Sequence, residues 1–181
     1  MTEESLKKQI RRARGKFLSM ASSYCLGVFN DNFFKQAVCL MAVAVSKNHL
    51  QSWIFVLFTA PYLIAAAPAG WLADRFPKGR VVIAAKVLEV IAMFLGAVGI
   101  AMGSWPLILA MAFTMGFQSC LFGPALNGSI PELYPSSYVP KANAILKIVV
   151  TLAILAGVAL SGMVLADKTP YMEGLTMGQA K

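Results

Sequence analysis

Residues 29–36 read FNDNFFKQ, and five of these eight side chains (Asn30, Asp31, Asn32, Lys35 and Gln36) are polar or charged. They interrupt a run from Phe17 to Val45 that otherwise carries no charge and only scattered Ser, Tyr, Cys and Gly. Asp31 and Lys35 are four apart, which on a helix puts them about 40° from each other on one face. Acid before base is the favourable order for such a pair. Tyr24 and Gly27 fall near the same line. Asp31 is also the midpoint of the run, where an ionised Asp costs about 2.5–3.5 kcal/mol on insertion scales and Lys a similar amount. Two chemistries answer to this pattern. The pair can neutralise itself and pin helices together, or the polar stripe can line a wet cavity that handles a polar substrate or a coupling ion. Three carboxamides beside one charge pair are more polarity than a staple needs.

Other polar residues repeat the theme. Lys86 and Glu89 fall in the apolar segment that begins near Val81. Lys86 is less than two turns from its end and is positioned to snorkel. Glu89 is about 13 Å in, at 1.5 Å per residue, and requires a partner or a wet cavity. Gln118 and Ser119 precede CLFGP in a later segment, where Gln118 serves either as a helix–helix hydrogen bond or as a substrate contact.

The elements that must carry these residues are membrane helices. The chain has 181 residues, is 58% hydrophobic and only 13% charged, against about 25% charged in soluble domains, and its mean hydropathy is +0.67. Five segments approach or exceed the roughly 20 residues needed to cross hydrocarbon: about 17–45, 52–73, 81–103, 105–127 and 142–166. A basic stretch, 1–16, precedes them and a polar tail, 167–181, follows. Small residues suited to close helix packing recur in AAAPAG at 65–70, as Gly99 and Gly103, and as Gly157, Ser161 and Gly162.

Net charge is +8, but six of the sixteen cations (Lys7, Lys8, Arg11, Arg12, Arg14 and Lys16) lie in the first sixteen positions. A basic cluster before an apolar helix is a topology signal or an anionic-lipid contact rather than a nucleic-acid surface. Apolar sequence resumes at once from Phe33 to Val45, so the first segment reads as a retained helix. With the N-terminus inside the cell, the inner segments hold ten cations, Arg75, Lys78, Arg80 and Lys141 among them, and the outer segments hold three, Lys47, Lys168 and Lys181. Cys25, Cys39 and Cys120 lie in apolar segments without metal spacing, and His49 is the one histidine. Neither a metal nor a cofactor is expected.

The inner loop GWLADRFPKGR at 70–80 combines Gly70, where a helix end can pack closely, and Asp74, placed to cap or pair. It also carries the cations Arg75, Lys78 and Arg80 around Gly79. It resembles the loop between helices two and three of major facilitator superfamily transporters, a G-x-x-x-D-R-x-G-R pattern, with extra residues between Arg75 and Gly79. FNDNFFKQA in the first segment, FGPALNGSIPELYPSSYVPKANAI before the fifth, and GMVLAD at 162–167 resemble the bacterial lysophospholipid transporter branch. That branch includes members fused to an acyltransferase and an acyl-ACP synthetase. The resemblance implies an all-α integral membrane fold, five transmembrane helices forming most of the N-terminal six-helix half of a major facilitator fold. It implies a lysophospholipid moved across the bacterial inner membrane for re-acylation. It assigns Asp31 to the central cavity and Asp74, Arg75 and Arg80 to the conformational gate. It also implies an N-terminal fragment whose partners are membrane lipids, the missing C-terminal half and a fused or separate acyltransferase.

Three other functions compete. An acyltransferase of the fused type needs His and Asp spaced H-x4-D, but five residues after His49 stands Ile54, so such chemistry would have to lie beyond this chain. A drug or small-molecule exporter would share the gate loop but not the FNDNFFKQ and GPALNGSIPELYP stretches. A membrane-structural or partner-binding protein would need no transport path at all. The charge count makes a direct prediction: alkaline phosphatase fused after Asn48 is active outside the cell, whereas the same enzyme fused after Lys78 is inactive. Equal activities at the two sites would refute the inferred orientation.

Overall fold

The polypeptide, seen in a computed structural model, is described over residues 3–166. All regular structure among these residues is helical: α1 Glu3–Ala44, α2 His49–Arg75, α3 Lys78–Ala101, α4 Trp105–Leu133 and α5 Val139–Ala166. The helices α2 to α5 are each long and apolar enough to cross a membrane. α1 falls short of that apolarity because Asn30, Asp31, Asn32 and Lys35 dilute its central part. Leu63, Ile64, Val90, Phe94 and Met163 are among the many large apolar side chains exposed at the surface, as expected of a bundle whose outer solvent is hydrocarbon rather than water.

The helices outrun their sequence-based limits. α1 starts at Glu3 rather than near residue 17, because Lys, Arg, Gln and Glu are strong helix formers and no proline intervenes. The loops shorten to match. Only residues 76–77 separate α2 from α3, and α4 continues to Leu133 through Pro124 and Pro131, which takes in the first six residues of the expected loop at 128–141. Both prolines are tolerable inside a bundle whose neighbours can meet the freed carbonyls.

α4 is the centre of the bundle. It packs along both α2 and α3, while α1 packs along α5 and makes shorter contacts with α4 and α2. Glycine sets two of these approaches. At Gly116 of α4 an added Cβ would collide with the main-chain carbonyl of Phe58 in α2. At Gly157 of α5 it would lie 2.6 Å from the Phe29 carbonyl oxygen of α1. Gly99 likewise abuts Leu107 and Ile108 at 3.0–3.1 Å. Its expected companion Gly103 instead forms the α3–α4 turn, with φ 62°, a left-handed conformation that suits glycine. Ser161 is fully buried, whereas Gly162 and Gly70 face open space. The expectation that Gly70 permits close packing is therefore corrected: no neighbouring atom lies near enough to need it.

Gly116→Ala should destabilise the bundle by about 1–3 kcal/mol, because backbone rather than a flexible side chain must give way. Gly162→Ala should be neutral or slightly stabilising, since it only removes the helical cost of glycine. Thermal unfolding in detergent separates the two; equal melting temperatures would contradict the packing.

Candidate functional site

The centre of FNDNFFKQ meets the centre of α4. Asp31 is 4% exposed and Gln118 is 3% exposed. The Gln118 side-chain nitrogen donates to both carboxylate oxygens of Asp31 at 3.1 Å and lies 2.9 Å from the Ser119 Oγ. The Ser119 hydroxyl donates to Asp31 as well. A buried carboxylate needs such donors, because each lone pair left unmet in a dry interior costs more than a hydrogen bond ordinarily contributes. Consecutive polar residues in α4 supply both donors, so α1 and α4 are joined at mid-bundle by one acid and two neutral groups. Of the two roles open to Gln118, the helix–helix hydrogen bond is the one observed.

Lys86 and Glu89 lie beside this cluster. They form an ion pair at 2.6 Å, and the Lys86 ammonium also donates to the Ser23 carbonyl at 2.9 Å and lies 5.1 Å above the Phe122 ring. The expectation that Lys86 snorkels is corrected. Gly27 leaves the space the pair occupies, for a Cβ there would stand 2.8 Å from the ammonium. Phe122 in turn stacks on Tyr24 at 5.3 Å between ring centres. Tyr24, Gly27, Asp31, Lys86, Gln118, Ser119 and Phe122 line a cleft of only about 10 Å³, room for about one water molecule. This cleft is too small for a lipid headgroup, because α1 and α4 close on each other there.

The rest of the stripe diverges. Lys35 makes no ion pair with Asp31 among the described residues; its ammonium donates to Asn32 Oδ1 at 3.3 Å and sits 4.5 Å above the Phe58 ring. One turn, about 5–6 Å, carries it past α4 and onto α2. The self-neutralising Asp31–Lys35 pair is thus replaced by two separate environments. Asn30 donates to the Met93 sulfur of α3 at 3.0 Å, Asn32 donates to the Val28 carbonyl of its own helix at 2.7 Å, and Gln36 is half-buried.

At the basic end, Lys78 is the loop residue that is tied down. It donates to the Gly128 carbonyl at 2.8 Å and forms an ion pair with Glu132, so the start of α3 is fastened to the end of α4. Arg75 lies 5.3 Å above the Trp71 ring, and Asp74, Gly79 and Arg80 are exposed. Asp74 neither caps a helix nor pairs among the described residues, contrary to expectation, because α2 runs through it and turns it outward. The partners Phe58, Met93, Phe122 and Glu132 were not singled out from the sequence. Apolar and surface types of this kind carry no signal until the helices are docked.

A bundle of long apolar helices with a charged, hydrogen-bonded centre is the architecture of a multi-pass membrane protein. The family model described as Major Facilitator Superfamily matches residues 15–171, and the chain belongs to that family. It is 32% identical over 152 residues to the lysophospholipid transporter LplT of Enterobacter sp. (strain 638), which covers 83% of this chain and 36% of the relative. It is 31% identical over the same length to LplT of Salmonella newport (strain SL254), with the same coverage. The chain thus spans about a third of the length of the curated relatives it matches. No solved structure matches it.

Removing one partner of the Lys86–Glu89 pair strands the other beside the hydrocarbon. Lys86→Met should cost about 1–3 kcal/mol of unfolding free energy, and the double substitution Lys86→Met/Glu89→Leu should recover most of that loss. Additive losses in the double variant, measured by denaturation in micelles, would show that the two residues act separately.

Proposed function

We propose that the chain forms the N-terminal part of a secondary transporter. This transporter carries lysophospholipids across the bacterial inner membrane by alternating access, delivering them for re-acylation. The observation that carries the reading is the similarity to lysophospholipid transporters over 152 residues, a stretch long enough to bring the central cluster with it. The geometry adds a chemical rationale. Lys35 is an ammonium at membrane depth without a carboxylate partner among the described residues, so it is free to meet a phosphate. Asp31 is the complementary anion for a headgroup amine. In transporters of this kind, substrate binds near the bilayer midplane between two halves that rock against each other. On this reading the cleft at Asp31 opens toward the second half. The Lys78–Glu132 contact keeps α3 and α4 moving as one body, with Asp74, Arg75 and Arg80 facing the gate. The basic N-terminus lies in the cytoplasm.

The test is lysophosphatidylethanolamine uptake by spheroplasts that express the complete transporter. Lys35→Ala should lower uptake by about tenfold to a hundredfold, the worth of one hydrogen bond to a charged group. Lys35→Arg should retain most of it, and Asp31→Asn should impair it with normal expression. Uptake unchanged in Lys35→Ala and Asp31→Asn would reject the assignment.

A further inference from the structure

The central cluster makes no use of the basic end of α1, yet that end carries a built feature. Arg11 and Arg14 stand three residues apart, on one side of the helix. Both are exposed and neither forms an ion pair among the described residues. They line a cleft of about 410 Å³ together with Phe17, and with Tyr134 and Tyr138 from the α4–α5 connection. The aromatic members are packed as a unit: Phe17 meets Tyr134 edge-on at 5.4 Å, and Tyr134 lies 4.9 Å from Tyr138. Phe17, Leu18 and Ile145 are shared with a second groove of about 360 Å³, which follows α1 and α5 past Cys25 and Val149 and is almost wholly apolar. A doubly cationic cleft therefore opens into an apolar channel that runs along the helices.

We propose that this cleft and groove bind one anionic glycerophospholipid of the surrounding bilayer, its phosphate held between Arg11 and Arg14 and an acyl chain lying between α1 and α5. Guanidinium groups match phosphate in charge and in their two-pronged donor geometry. Juxtamembrane cations draw anionic lipid, and a soluble anion would leave the apolar groove unused. The Arg14 end of the site lies about 25 Å along α1 from Asp31, and the apolar groove reaches Leu26, about 8 Å short of it.

Native mass spectrometry of the purified complete transporter, titrated with dioleoylphosphatidylglycerol or dioleoylphosphatidylcholine, tests this. The expected result is one retained phosphatidylglycerol in preference to phosphatidylcholine. Arg11→Gln/Arg14→Gln should weaken that retention by roughly tenfold to thirtyfold, with helicity by circular dichroism unchanged. Arg12→Gln/Lys16→Gln, an equal loss of charge outside the cleft, should leave it nearly intact, and Ile145→Trp, which fills the groove, should weaken it. The proposal is overturned by equal losses in the two charge variants, by no preference for phosphatidylglycerol, or by full retention in Ile145→Trp. It is also overturned by a lipid-free dimer that the Arg11/Arg14 change dissociates, which would assign the groove to a second copy of the chain.

Discussion

A carboxylate in the middle of a membrane helix must find its hydrogen-bond donors in protein, because hydrocarbon has none to offer. Asp31 meets that demand with Gln118 and Ser119, and the demand propagates. It brings α1 against α4, and α4 already packs along α2 and α3. The polar centre therefore couples α1, with α5 along it, to the other three helices. The ion pair of Lys86 and Glu89 lies over Gly27 beside this contact, so α3 adds its own charges to the same junction.

The bundle treats its cations unequally. Lys86 is paired and holds a main-chain carbonyl, and Lys78 fastens α3 to α4 in the same manner. Both serve cohesion. Lys35, resting on Phe58, and Arg11 and Arg14, at the mouth of a cleft, form no ion pair among the described residues. Charges left uncompensated within or beside hydrocarbon are expensive, and their cost is offset most simply by a ligand of opposite sign.

Much of this was legible in the residues. Five apolar runs gave five helices, and the depth of Asp31 marked it as the residue that most needed partners. The boundaries were less legible, because charged helix formers such as Lys7 and Arg11 extend α1 without any apolar period, and because prolines at 124 and 131 end a helix in water but not in a bundle. Periodicity correctly set Asp31 and Lys35 on one side of α1. It could not tell that one turn of rise delivers them to different neighbours, α4 for the acid and α2 for the base. That distinction belongs to tertiary docking, as does the choice of Met93 for Asn30.

The sequence separation between Asp31 and its donors has a consequence for biogenesis. Gln118 follows Asp31 by 87 residues, so a ribosome must synthesise two further helices before the carboxylate can be satisfied. For that interval α1 offers the membrane a polar middle with no α4 to cover it. The first helix is therefore the one whose polar centre is completed only once α4 has been made.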